Sequence, residues 1–286
     1  MPLLRRIEFP ALMRFFCRSL LLFVLSVAAA IAVELKVGTL NCYLLFDPVV
    51  QHPGKLDEKE KMTPEEYRQK LSNLTSLISG YQVVALEETG GQAEVAALAK
   101  AAGMNWAWTR GKDTATGEEV GLLYLLPAWK MVAHGRVGEL DAVVSKHLLV
   151  TLTCDEDRVY FLVVHLIRPI GAQYGKQARQ IEAIAAWAAA LQNREPKATI
   201  IILGDTNNSL TQAGTSLYGI GREANELDQF APTHLIGKCF DRLVIVGAGR
   251  WNSIEVKRPP YGKRPNNVIK RIWTDHFFVG ADLSFD

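Results

Sequence analysis

The chain is 286 residues long, 49% apolar and 22% charged, the balance of an ordinary globular protein with material for one sizeable core. It has no 20-to-50-residue repeat and no low-complexity tract, which excludes solenoid and fibrous classes. The formal net charge is +2, but residues 1–32 hold four basic side chains and one acidic one, leaving 28 Lys+Arg against 29 Asp+Glu beyond them, a net of −1; global charge gives no argument for a nucleic-acid partner, and any such argument has to be local.

Arg5, Arg6, Arg14 and Arg18 precede an apolar run over residues 20–33 that contains Ala30, Ile31 and Ala32 in an A-x-A-like arrangement. A basic n-region, a short h-region and a small-residue cleavage site predict a secretory signal peptide over 1–32. An apolar run of about 15 residues is short for a membrane span, so no stable anchor is expected after cleavage. The exported remainder, 33–286, shows no Pro/Gly-rich linker and reads as one domain, periplasmic or extracellular, with a monomer favoured. Its three cysteines, Cys42, Cys154 and Cys239, lack C-x-x-C spacing, which argues against a structural zinc site.

Residues 35–42 alternate and predict a first strand. Thr63, Pro64 and Glu66 form a capping box with proline at the first helical position, opening a helix that runs to about residue 79. A short buried strand follows at 83–86, then an Ala-rich helix over 92–102 ended by Gly103. Strands are predicted at 120–126, 147–153 and 159–165, the last two as a hairpin closed by residues 155–157. A long amphipathic helix covers 173–191, and strands follow at 199–203, 241–246 and 273–279. Hairpins mixed with helical crossovers imply mixed sheets covered by helices.

The informative pattern is where these strands stop. Residues 83–86 run into Glu87 and Glu88, 161–164 into His165, and 200–204 into Asp205, Thr206 and Asn207; Asp275 and His276 interrupt the last apolar run. A buried carboxylate is costly unless paired or metal-bound, so convergence on one cation accounts for all four. Glu88, Asp205, Asp275 and the amide oxygens of Asn41 and Asn207 are hard ligands suited to Mg²⁺, Mn²⁺ or Ca²⁺. The histidines remain for proton transfer and for contact with an anion. Glu87 reads as a solvated or structural residue, and His234 lies outside any motif.

In this order the motifs resemble the endonuclease/exonuclease/phosphatase family. Asn41 resembles its first-strand Asn, Leu86-Glu87-Glu88 its Leu-Gln-Glu, Val164-His165-Leu166 its Thr-His-Leu, Gly204-Asp205-Thr206-Asn207 its Gly-Asp-Phe-Asn, and Thr274-Asp275-His276 its Ser-Asp-His. Residues 239–246 resemble the Asp-bearing penultimate strand of the deoxyribonucleases. The resemblance implies an α/β (α+β) four-layer sandwich, two packed mixed β-sheets flanked by helices, and a metal-dependent phosphoric-ester hydrolase. It also implies roles: Glu88 holds the metal with Asn41 and Asp275 nearby, His276 oriented by Asp241 activates water, Asp205 and Asn207 position water and phosphate, and His165 meets the phosphate or protonates the leaving group. Glu87 departs from the family's Gln.

Between Asp241 and Asp275 stand eight Lys/Arg against one acid, Glu255, with Trp251, Tyr261 and Trp273 interleaved. This reads as a basic, aromatic-bearing loop that can track a phosphate backbone, or as a solvated loop. Arg110 and Arg168 are further candidates for phosphate contact. Nucleic acid is the expected substrate, with a phospholipid head group or small phosphate ester as the alternative and a silent binding module as a third.

Overall fold

The computed structural model describes residues 34–50, 60–112, 117–155, 157–211, 216–261 and 265–285; the expected signal peptide lies outside them. Two six-stranded sheets make up the interior. The first, in the order β11-β12-β1-β2-β4-β3, is built from β1 (Glu34–Leu45), β2 (Val83–Thr89), β3 (Asn105–Thr109), β4 (Glu119–Tyr124), β11 (Arg250–Lys257) and β12 (Phe278–Ser284). The second runs β5-β6-β7-β8-β10-β9, from β5 (Lys130–Gly135), β6 (His147–Cys154), β7 (Asp157–Val164), β8 (Thr199–Asp205), β9 (Arg222–Glu223) and β10 (Asp241–Val246). Each sheet has one parallel pair, β1 with β2 and β7 with β8, among antiparallel neighbours. Mixed sheets covered by helices, the expected architecture, are what the chain forms.

Side-chain parity assigns the layers, because successive strand residues point to opposite faces. Val37, Ala85, Phe161, Val163, Ile201, Leu203, Leu243 and Ile245 meet between the sheets. The alternate residues face outward. Leu40, Val84 and Leu86 pack on helices α1 (Pro64–Ile78) and α2 (Gln92–Ala102), while Leu162, Ile200, Ile202 and Val244 pack on α3 (Tyr174–Arg194). Thr63 and Glu66 close the capping box on α1 as the sequence predicts.

Corrections fall at the sheet margins. Strands β3, β5, β9 and β11 and the short helix α4 (Asn267–Ile272) were not anticipated. The basic stretch after Asp241 is therefore not one loop: β11 is an edge strand, where charged residues are favoured because they discourage further pairing. Arg242 is fully buried against Glu223, Nη1 to Oε1 2.6 Å, and donates to the carbonyls of Asn208, Leu210 and Cys239. Arg271 pairs with Glu66, and Lys257 lies over the Tyr81 ring. These three cations are taken up by contacts within the fold. The last strand begins at Phe278 rather than residue 273; the preceding segment makes only an isolated bridge, His276 with His234. The three cysteines are free thiols, Cys42 and Cys239 buried. No helix among the described residues is long and apolar enough to cross a membrane.

Candidate functional site

The inward-facing rows that build the core turn polar at one end of the sandwich. Val37 is followed at steps of two by Thr39 and Asn41, Ala85 by Glu87, Val163 by His165, and Leu203 by Asp205; on the reversed strand β10 the row runs Ile245, Leu243, Asp241. The same parity that buries the aliphatics thus delivers six polar side chains between the sheets, where water cannot satisfy them. Gly204, at the alternate position between Leu203 and Asp205, is required there: at φ 138° it has no strain, and a Cβ would collide with the Val164 carbonyl on β7.

Most of these groups find hydrogen-bond partners. Asn41 Nδ2 donates to Glu88 Oε1 and to Asp205 Oδ2, both at 2.9 Å, bridging the two sheets. Its Oδ1 accepts from the Tyr43 N–H at 2.9 Å. Only an oxygen can serve that N–H, which fixes the amide so that its Nδ2 orients the two carboxylates. Glu88 is left-handed at φ 55°, which breaks the strand alternation and turns its side chain into an open cleft. A non-glycine residue held there is strain of the kind found at functional sites. Asp205 Oδ1 accepts from the Asn207 N–H at 2.7 Å, and Asn207, also left-handed at φ 50°, donates from Nδ2 to the Leu166 carbonyl at 3.0 Å.

His276 Nδ1 lies 2.9 Å from Asp241 Oδ2 and 3.1 Å from Oδ1, and its Nε2 lies 3.7 Å from Asp205 Oδ2. With Nδ1–H donated to Asp241, Nε2 is the basic nitrogen facing the cleft. Burial pulls the imidazole's pKa down, but Asp241, Asp205 and Asp275 outweigh it and hold it well above the ordinary value. His165 is the opposite case: burial first, then Lys146 and His276, push it well below, so it stays neutral. Its Nε2 is 3.7 Å from Asp205 and 3.9 Å from Glu88. A neutral imidazole donates one N–H hydrogen bond but is no proton source near pH 7.

The carboxylates divide similarly. Asp275 keeps its charge: burial raises its pKa, but His234, at 3.6 Å, together with His276 and Lys270, brings it below the usual range. Burial, then the charge of Glu118, pushes Glu88 up to about 8. Glu87, with Oε1 accepting from Thr39 Oγ1 at 2.8 Å, is wholly buried and raised well above normal, first by burial and then by Asp241. It is structural, as expected, but not solvated.

A cleft of about 520 Å³ collects these groups. Glu88, His165, Asp205, Asn207, Asp275, His276 and Arg168 line it. Asn41 and Asp241 stand behind as fully buried supports. Arg110 is exposed beyond β3 and is not among the lining residues.

Sequence reading missed four groups. Glu118, Lys146 and His234 line the cleft, and buried Lys70 donates to the Tyr43 carbonyl at 2.6 Å, holding the left-handed turn of Tyr43 and Leu44 that forms one wall. Glu118 and Lys146 directly precede β4 and β6. In those antiparallel strands the beginning, not the end, lies at the site, as the pairings Glu119 with Thr89 and His147 with Val164 show. Polar residues before an apolar run were the available signal.

The donors fit a hard divalent cation. Glu88, Glu118 and His165 bring ligand atoms within 4.8 Å of one another, as do His234, Asp275 and His276, and Asp205, Asp241 and His276; carboxylate oxygens dominate, the preference of Mg²⁺, Mn²⁺ or Ca²⁺. A carboxyl raised to about 8, as Glu88 is, ionises near neutrality only with a cation beside it.

No protein-family model matches the chain, and no curated protein is similar to it in sequence. Solved structures do match. An endonuclease/exonuclease/phosphatase family protein from Bacteroides thetaiotaomicron superposes with a TM-score of 0.60 at 13% identity, over 90% of this chain and all of that one. The fold is that of the endonuclease/exonuclease/phosphatase proteins. Within the same fold, D. rerio TDP2 complexed with single-strand DNA product gives a TM-score of 0.60 at 15% identity, over 87% of this chain and 98% of that one. The human Nocturnin catalytic domain with bound sulfate gives 0.59 at 15%, over 88% and 94%. At these identities the likeness speaks for the endonuclease/exonuclease/phosphatase fold and not for a particular substrate.

Proposed function

We propose that the protein is a divalent-metal-dependent phosphodiesterase, a nuclease that hydrolyses DNA or RNA. The observation that carries this reading is the Asp241–His276 pair at 2.9 Å opening onto the same cleft as Glu88, Asp205, Asn207 and Asp275. Glu88 and Asp275 would hold the metal. When bound, it supplies positive charge to the phosphoryl oxygens. His276 Nε2 takes the proton from the attacking water, while Asp241 fixes the ring and stabilises the imidazolium that forms. Asn41 keeps Glu88 and Asp205 aimed, Asp205 and Asn207 place the water and phosphate, and neutral His165 donates a hydrogen bond to a phosphoryl oxygen. Since His276 must be neutral to accept a proton and its pKa is raised, the acid limb of the rate profile should sit above the ordinary histidine value of about 6.5.

Nucleic acid is supported by the DNA-bound TDP2 of the same fold and by Tyr43, Phe240 and Arg168 around the cleft, where aromatic faces and a cation suit bases and phosphates. Ile170, Leu210 and Ile236, apolar and 60%, 74% and 62% exposed, stand on loops at this same end, which favours a phospholipid head group as the second reading. A panel of plasmid, single-stranded DNA, RNA and sphingomyelin with Mg²⁺ or Mn²⁺ separates them. Cleavage of the nucleic acids is expected; phosphocholine release without it would transfer the assignment to lipid.

Export through residues 1–32 belongs to the same proposal, resting on the arginines, the short apolar run and Ala30-Ile31-Ala32. N-terminal sequencing of the exported protein should begin at Val33; an intact Met1 would remove the signal peptide from the account.

A further inference from the structure

We propose that the Lys146 ammonium is a built-in second cation of the centre, serving in place of a second metal ion. The inference rests on the metal-dependent reading above and deepens it. Glu118 and Glu88 place carboxylate oxygens within 4.8 Å of each other, with a His165 nitrogen inside the same radius. His165 makes no side-chain hydrogen bond among the described residues: Nδ1 is buried without a partner, and Nε2 points toward Glu88 and Asp205 at 3.9 and 3.7 Å. Glu118 thus adds a further carboxylate beside the one ion that Glu88 and Asp275 would hold, and a second positive charge is needed to answer it.

Lys146 provides it. Its Nζ lies 2.5 Å from Glu118 Oε2, with only 9% of the lysine side chain and 15% of the glutamate exposed. Both line the cleft beside Glu88 and His165. The backbone fixes the lysine there, since its carbonyl accepts the His165 N–H at 3.1 Å and the next residue, His147, pairs with Val164 in the β6–β7 ladder. Two-metal sites set their ions about 3.5–4 Å apart to clamp both sides of an in-line displacement. A lysine is a compact point charge able to meet phosphate from such a position without coordination geometry. The chain is thereby a one-metal enzyme with a lysine as partner to the ion, and Lys146 is the residue that sets this stoichiometry.

Isothermal calorimetry with Mn²⁺ on the purified protein, alongside diester hydrolysis, tests this. The wild type should bind one Mn²⁺ per chain. Lys146→Met should bind two, because Glu88, Glu118 and His165 are then left without their cation, and should lose roughly 10²-fold in kcat at low Mn²⁺, regained in part as Mn²⁺ is raised. Lys146→Arg should keep one ion and most of the rate. A cooperative melt checks that each variant folds; should Lys146→Met not fold, Lys146→Gln must give the same result. Two ions in the wild type, or one ion in the neutral variants, overturns the proposal while leaving the phosphodiesterase reading intact. No ion in the wild type overturns the metal-dependent reading itself.

Discussion

Replacing His276 with alanine is expected to lower kcat/KM for diester hydrolysis by about 10²–10⁴-fold, the range for removal of a positioned general base. The other imidazole of the cleft is poorly suited to take over its proton. His165 is held far below the ordinary histidine pKa by burial and by Lys146, and it has no carboxylate within hydrogen-bond distance comparable to the Asp241–Nδ1 contact at 2.9 Å. Asp241→Asn should fall in the same direction, because an amide can present its N–H to Nδ1 and turn the wrong nitrogen to the cleft. Steady-state rates on a simple diester check both; a His276→Ala variant within about threefold of the wild type would mean that water is activated elsewhere.

In the metal-free protein, the melting temperature is expected to fall as pH rises from about 6.5 to about 8. Glu88 is raised to about 8, while Glu87 and His276 stand well above their ordinary values. In this window the folded chain holds protons that the unfolded chain has lost, so stability declines with pH. The groups shifted the other way act outside it: His165 and His147 are lowered from 6.5, and buried Lys70, lowered to about 8 by burial, contributes only above that. Each proton is worth about 1.4 kcal/mol per pH unit, and each kcal/mol about 2–4 °C for a domain of this size, so three such protons over this window give a fall of roughly 10 °C or more. Millimolar Mg²⁺ or Mn²⁺ should reverse it by binding the folded state. Thermal melts in EDTA and in excess metal decide; a melting temperature that rises across this range in EDTA, or ignores metal, would contradict the charge arrangement described here.

The strand-end residues were legible because the apolar runs are long enough to identify strands, and because a carboxylate or histidine at the end of such a run has no cheap structural explanation. Glu88, His165, Asp205 and the Asp275–His276 pair were found on that ground. Asp241, at the start of its strand, was carried by family resemblance alone. Glu118 and Lys146 stand just before β4 and β6 and had no such motif, so they were passed over. Parity would have helped: the inward rows of β1, β2, β7, β8 and β10 run without a break from aliphatic to polar. Which of two adjacent glutamates faces the cleft came from family resemblance and not from strand alternation, since it depends on the left-handed backbone of Glu88.

The margins of the fold were harder for a different reason. Strand β11 carries Arg250, Glu255 and Lys257, and half of its residues are exposed and none buried, so its periodicity is hidden by charges that suit an edge. Its basic neighbours suggested a nucleic-acid loop. Arg242 answers Glu223 in the interior, and Arg271 answers Glu66 on α1, pairings between residues 19 and 205 positions apart in sequence that a local reading cannot supply. The amide of Asn41 is a similar case: its role is fixed by Tyr43 and by two carboxylates, one on each sheet.

The central claim is that these strand ends form a metal-dependent centre for phosphodiester hydrolysis. Hydrolysis of bis(p-nitrophenyl) phosphate by the purified protein, followed through removal of metal by EDTA and its return as Mn²⁺, tests it without commitment to a natural substrate. Activity should vanish in EDTA, return with Mn²⁺, and be absent throughout in Glu88→Ala. Hydrolysis that continues undiminished in EDTA, or that survives in Glu88→Ala, would contradict it.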